Sequence, residues 1–305
     1  MANSSEILEH VLHSPSNSPH NLVYQWLLPN VRGLDDFLSV LRARDGGKQD
    51  AYPTPPPSPG TDNGPALNTS SQDPNAMPSA ASGAETTGKD APQHEVSIFT
   101  AATEAFTRKN TNCSIAESLE RFKPIMNRGM EEGFNVRAYI SVALGCPYEG
   151  PNVDPQKVAE LAVSLLEMGA SEISVADTTG MGTALKTAEL LKALDAAGID
   201  KSDLALHFHD TYGQALVNSM VALEHGIRTF DSAVGGLGGC PFSPGATGNV
   251  ATEDMVHCFH SLGLKTGVDM EALSEVGEWI SQQIGRANES RAGKATIAQL
   301  RKERQ

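Results

Sequence analysis

Short apolar runs alternate with amphipathic stretches along most of the chain. The runs predict strands at Leu22 to Leu28, Val96 to Thr100, Val136 to Val142, Glu172 to Ala176, Ala205 to Phe208 and Thr229 to Val234, because brief β-branched or aromatic segments bounded by turn residues fit a buried strand. Helical spacing follows each of them, near Leu34 to Leu41, Ile115 to Arg128, Pro155 to Met168, Leu185 to Ala196, Ala215 to His225 and Ala251 to Leu262. Strand-then-helix repetition implies parallel strands joined by crossover helices. Two helix starts carry their own chemistry: Ser114 with Glu117 spells a capping box, and Asp154 precedes Pro155 at the first helical position.

The alternation stops between Asp45 and Pro92. That stretch holds nine of the 18 prolines among Ser, Thr, Gly and Asn, and it cannot bury enough apolar surface to offset the entropy of ordering it. A disordered insertion is predicted at 45–93. The alternative, a Pro-rich docking ligand at Pro53 to Pro59, lacks a basic anchor.

Six strand-helix units fit either an open doubly wound sheet or part of an eight-fold barrel, and the residues at the strand ends discriminate between them. Val175-Ala176-Asp177-Thr178-Thr179-Gly180, His207-Phe208-His209-Asp210 and the glycine-rich run after Val234 place reactive groups at successive carboxyl ends. That is a barrel rim, whereas a dinucleotide fold carries its glycine-rich turn after the first strand. The expected fold is therefore an α/β TIM (β/α)8-type barrel reduced to about six βα units plus C-terminal helices. Residues 1–44 would start it, 94–288 would complete the catalytic part, and 289–305 would form a helical tail.

Composition narrows the function. A net charge of −14 and a pI near 5.0 argue against nucleic acid, which needs clustered Lys and Arg. The four scattered cysteines make no disulfide framework. No apolar run approaches the roughly 20 residues that cross a bilayer, so no membrane span is expected. Met1 to Glu9 are polar and acidic, unlike a secretory signal or a mitochondrial presequence, so no targeting segment is expected either.

Candidate chemistry gathers late in the chain. His207 and His209 flank Phe208 on a strand, so both imidazoles face the same way. They are either half a metal site or two core histidines with satisfied hydrogen bonds. Beyond them, Gly235 to Asn249 contains six glycines and Cys240, which describes either a mobile lid carrying a reactive thiol or a flexible surface loop. Asn249 is either a helix cap or an oxygen ligand for a hard cation. Asp177, followed by Thr178, ends its strand where a carboxylate can meet substrate or close an Asx turn. Cys146 reads as turn chemistry and Cys258 as a helix residue.

Several phrases resemble one family. Phe106-Thr107-Arg108-Lys109-Asn110, Asn112-Cys113-Ser114, Ala143 to Gly150, His207 to Ala215 and Gly235 to Pro241 are similar, in order, to 3-hydroxy-3-methylglutaryl-CoA lyases, from Leu22 to about Ile284. The resemblance implies a divalent-metal-dependent lyase that cleaves 3-hydroxy-3-methylglutaryl-CoA to acetyl-CoA and acetoacetate, as in leucine breakdown and ketone-body formation. It implies Mg²⁺ or Mn²⁺ held by His207, His209 and Asn249, and catalysis by Cys240, Asp177 and His207. Asn110, Tyr139 and Thr178 would lie near the acyl-CoA substrate. It further implies a mitochondrial matrix enzyme, with cytoplasm or peroxisome as alternatives, and a homodimer.

The resemblance also implies an absence. The family's first strand ends in Arg-Asp-Gly, whose Asp ligates the metal, and its second strand supplies a Glu. Met1 to Leu8 aligns just before the third, as though translation began at an internal methionine. Arg44-Asp45-Gly46 is read as a helix end rather than a substitute. Two other functions stay in view: a related Claisen-type acyl-CoA synthase, and an inactive product that only binds partners or is degraded.

Overall fold

The computed structural model describes residues 4–13, 22–44, 93–239 and 248–304. In chain order these form α1 (Ser4–His13), β1 (Val23–Leu27), α2 (Val31–Arg44), β2 (Gln93–Ala101), α3 (Glu104–Thr111), α4 (Ile115–Glu131), β3 (Asn135–Ser141) and α5 (Pro155–Glu167). There follow β4 (Glu172–Asp177), α6 (Ala184–Ala196), β5 (Leu204–Phe208), α7 (Ala215–Glu224), β6 (Thr229–Asp231), α8 (Thr252–Ser261), α9 (Met270–Gln283) and α10 (Arg291–Glu303). Most of the expected insertion lies outside the described residues, although Gln93 already belongs to β2.

The six strands form one sheet in the order β1-β2-β3-β4-β5-β6, every pair parallel. Sequence order is spatial order, so the sheet has no switch point, and the doubly wound alternative is excluded. The sheet curls into a half-barrel of the α/β TIM-barrel type.

Alternation along the strands separates two environments. Val96, Ile98, Val136, Ala138, Ile140, Ile173, Val175, Leu204, Leu206 and Phe208 are buried on the helix side. Helix α4 meets them with Phe122, Ile125 and Met126, spaced at i, i+3 and i+4. Each such side chain contributes about 1.5–3 kcal/mol on burial, so the stabilising core lies between sheet and helices. The other strand face carries Arg137, Tyr139, Glu172, Ser174, His207 and Asp231, and the interior of the curl is polar.

The expected caps are present. Ser114 and Glu117 form the reciprocal capping box of α4, and the Asp154 side chain accepts from Gln156 N ahead of Pro155. Strand bounds shift by one to three residues, and the strand expected to reach Val234 ends at Asp231. Ala233 leaves β5 and bridges Ala251 instead, with its N–H donating to the Val250 carbonyl. The residues expected as a tail are packed: α10 lies on α9 and α8, with Ile297 and Leu300 buried. No described helix is long and apolar enough to cross a membrane.

Candidate active site

The carboxyl ends of β4 and β5 bring Asp177, His207 and His209 to one rim, with His207 turned into the curl and Asp177, in register with Phe208, turned to the helix side. His207 sits on β5 and His209 just beyond it, and their ring centroids are 5.3 Å apart. Asn249 reaches the same place through an antiparallel bridge to His209. Its amide nitrogen donates to the Leu237 carbonyl at 2.8 Å, which leaves its Oδ1 buried with no hydrogen-bond partner. His209 Nδ1 is likewise buried and without one.

These orphaned atoms test whether a dication fits. Two imidazoles and an amide oxygen are suitable donors for Mg²⁺ or Mn²⁺, and an amide oxygen left bare inside a protein costs free energy that a ligand would recover. Burial, with the neighbouring His207 adding to it, pushes His209 down to about 4, so near neutral pH its ring is uncharged, the form that ligates. Among the described residues no three His, Cys, Asp or Glu side chains gather as a metal cage. Among the described residues the donor set is therefore neutral and carries no carboxylate.

Asp177 ends β4, buried to 1 % exposure. Its Oδ2 accepts from Gly182 N at 2.9 Å, and its Oδ1 faces the Thr179 hydroxyl at 3.4 Å. Burial outweighs these donors and pushes its carboxyl up to about 6. The carboxylate is thus gripped by the loop that follows it, through Gly182 N five residues on. Thr178 is similarly engaged: its Oγ1 accepts from Val142 N at 2.9 Å. Val142 has φ of 54°, a left-handed conformation that strains a β-branched residue, and Thr178 holds that corner.

Tyr139 lies inside the curl, edge-on to His207 at 6.4 Å between ring centroids. Its hydroxyl donates to Gln25 Oε1 at 2.6 Å, and burial pushes its pKa up, with the Asp231 charge adding to it. Asn110 is placed elsewhere, on a cavity of about 640 Å³ with Asn30, Arg32, Phe99 and Arg121 that includes neither histidine. Cys240 lies outside the described residues. The segments flanking it are described and adjacent: Gly238 packs on the Asn249 amide. Upstream, the turn Val234–Gly236 is anchored by Glu253, whose two oxygens accept from Gly235 N at 3.0 and 2.9 Å. Gly235 has φ of 63°, which glycine adopts without a Cβ penalty.

A charged group that sequence reasoning missed lies beneath the histidines. Arg137 pairs with Glu172 and Asp231, and Asp231 in turn approaches His207. Nothing in the sequence singles out these residues except the strand alternation that turns each of them inward. Of the thiols, Cys146 is buried in the turn closed by Gly150, as expected, and burial pushes the Cys258 thiol up.

A family profile described as HMGL-like matches residues 76–280. The chain belongs to the HMGL-like family. Over 209 residues it is 53 % identical to the hydroxymethylglutaryl-CoA lyase of Pseudomonas mevalonii, covering 68 % of this chain and 69 % of that protein. It is 50 % identical to the mitochondrial hydroxymethylglutaryl-CoA lyase of Rattus norvegicus, covering 66 % of this chain and 62 % of the relative. A relative from Danio rerio, 47 % identical and covered over 60 % of its length against 67 % of this chain, is named cytoplasmic. Such matches thus span about two thirds of the relatives' own length. Among solved structures, the hydroxymethylglutaryl-CoA lyase of Pseudomonas aeruginosa superposes with a TM-score of 0.75 at 38 % identity, covering 98 % of this chain and 80 % of that one. HMGL-like family membership thus agrees with the half-barrel and with the carbon-carbon lyase class expected from the motifs.

Proposed function

We propose that the protein cleaves 3-hydroxy-3-methylglutaryl-CoA to acetyl-CoA and acetoacetate with a divalent ion, Mg²⁺ or Mn²⁺, held by His207, His209 and Asn249. The observation that carries this reading is the convergence of two imidazoles with a buried, unpartnered amide oxygen at the rim. When bound, the ion would supply Lewis-acid polarisation of the substrate's C3 hydroxyl and of a carboxylate oxygen, favouring the alkoxide.

The chain's own residues handle the protons. Asp177, with a carboxyl near 6, is ionised at neutral pH, and it accepts the C3 hydroxyl proton after turning from Gly182 N toward the curl. As the C2–C3 bond breaks, C3 becomes the ketone carbon of acetoacetate and C2 leaves as the thioester enolate. Cys240 returns a proton to C2. Tyr139 and Thr178 border this space and hold its walls, while Asn110 would act on a more distant part of the acyl-CoA. The grip of its own loop on Asp177 adds a second role, support of the Thr178–Gly182 turn.

Acetoacetate release and Mn²⁺ uptake by calorimetry test the reading together. Cys240→Ala is expected to lose about 10²–10⁴-fold in turnover with Mn²⁺ uptake intact, and His207→Ala to lose both. Full turnover in Cys240→Ala, or no Mn²⁺ uptake by the wild type, overturns it. The mitochondrial matrix and a homodimer belong to the same proposal, checked by imaging the tagged protein in cells and by light scattering.

A further inference from the structure

Asp231 is the acidic side chain inside the curl that faces an imidazole. It stands level with His207 across the β5–β6 pair, and its Oδ2 lies 3.4 Å from His207 Nδ1. The same oxygen accepts from the Ser174 hydroxyl at 2.7 Å, and Oδ1 sits 2.9 Å from Arg137 Nη2. Arg137 is itself fixed, its Nε 2.6 Å from Glu172 Oε1 and its Nη1 donating to the Tyr139 hydroxyl at 3.2 Å. Groups on β3 and β4 therefore hold the carboxylate from behind and leave one face toward His207.

That arrangement discriminates between the two neutral forms of the ring. A lone pair on Nδ1 would point at a carboxylate and be repelled, whereas an Nδ1–H is attracted. At 3.4 Å the contact is a charge approach and not a hydrogen bond, and buried His207 Nδ1 has no hydrogen-bond partner, so this carboxylate is the polar group it faces. Two carboxylates also share the single Arg137 guanidinium, which leaves negative charge on the side where His207 lies. Carboxylates in this relation to a ligating histidine fix its tautomer and raise its basicity.

We propose that Asp231 is a positioning residue that locks His207 in its Nδ1–H form, offering the Nε2 lone pair to the dication, with Ser174 and Arg137 fixing the carboxylate. The affinity part of this inference rests on the metal reading of His207; the tautomer part does not.

Two measurements on the full chain test it. Long-range ¹H–¹⁵N correlation on the metal-free protein at pH 8, with the His207 signal among the nine histidines identified by its loss in His207→Gln, reads the tautomer directly. The wild type should show Nδ1–H, and Asp231→Asn, which keeps the volume and removes the charge, should move the ring toward Nε2–H. Mn²⁺ titration calorimetry should show roughly 10–100-fold weaker binding in Asp231→Asn, with a smaller loss in Ser174→Ala. An Nε2–H ring in the wild type, or a tautomer and Mn²⁺ affinity unchanged by Asp231→Asn, overturns the proposal. Should Asp231→Asn not fold, Ser174→Ala decides: an unmoved ring and unmoved affinity there also overturn it. If the wild type binds no Mn²⁺, the metal reading falls, while the tautomer comparison still decides the role of Asp231.

Discussion

At the residue scale, Asp177 shows a buried acid shaped by two opposing effects. Amide and hydroxyl donors favour its charged form, yet burial at 1 % exposure dominates and lifts the carboxyl from 3.8 to about 6. The folded state therefore holds this proton more tightly than the unfolded chain. Its contribution to stability is complete below about pH 4 and is lost as the pH rises through about 6, an effect on the order of 3 kcal/mol. Urea unfolding from pH 4 to 7 should show that decline in the wild type and not in Asp177→Asn, and parallel curves would remove the effect. If Asp177 is also the base, Asp177→Asn should lose turnover even at pH values where the two proteins are equally stable. The sequence made His207 and His209 legible because period two puts them on one face. It left Asp177 open between substrate contact and Asx turn, because both need a carboxylate at a strand end. Asp231 was not legible at all: one acid among 37 Asp and Glu acquires meaning only when β6 is placed beside β5.

At the scale of elements, the strands and crossover helices followed from alternation and caps; α9 and α10 were expected only as C-terminal helices and a helical tail, without their packing, and α3 was not expected. Helix α3 has no side-chain cap at Thr103, and α9 and α10 follow no strand, so no strand-helix rhythm announces them. Those last helices shape the site through Glu253, a fully buried carboxylate on α8. It anchors Gly235 from one side and is packed by α9 from the other: a Cβ at Gly277 would meet Glu253 Oε1 at 2.1 Å. Gly277→Ala would gain up to about 1 kcal/mol of helix propensity. Against that, Glu253 has no room to retreat without releasing Gly235, and overpacking of this kind costs about 1–3 kcal/mol. The clash is expected to win, so Gly277→Ala should lower thermal stability, and a melting temperature at or above that of the wild type would show that Glu253 yields freely.

At the scale of the whole molecule, six parallel strands in sequence order leave β1 and β6 as edges of the described sheet, and Val23 and Leu27 on β1 are exposed. An open edge is an aggregation hazard. Beyond β6 the chain continues into helices α8, α9 and α10, and α10 packs on the other two. Its Ile297 and Leu300 are buried, each contributing about 1.5–3 kcal/mol. At its start, Asp254 Oδ1 accepts from Ser290 Oγ at 2.6 Å and from Ala292 N at 2.7 Å, and hydrogen bonds to a charged group contribute about 1.5–3 kcal/mol. Those contributions together approach the 5–15 kcal/mol that typically separates folded from unfolded protein. Read as sequence, 289–305 is a polar, basic stretch resembling a dispensable tail, because two apolar contacts and one cap do not stand out until α8 lies beneath them. A chain ending at residue 288 should therefore lose its cooperative thermal transition or melt far below the full chain. It should also release the Glu253 anchor, since Gly293 packs against that side chain. Circular dichroism melts of the two chains decide the matter: coincident transitions would return α10 to the status of an appendage, and the Val234–Gly236 turn would then need another support.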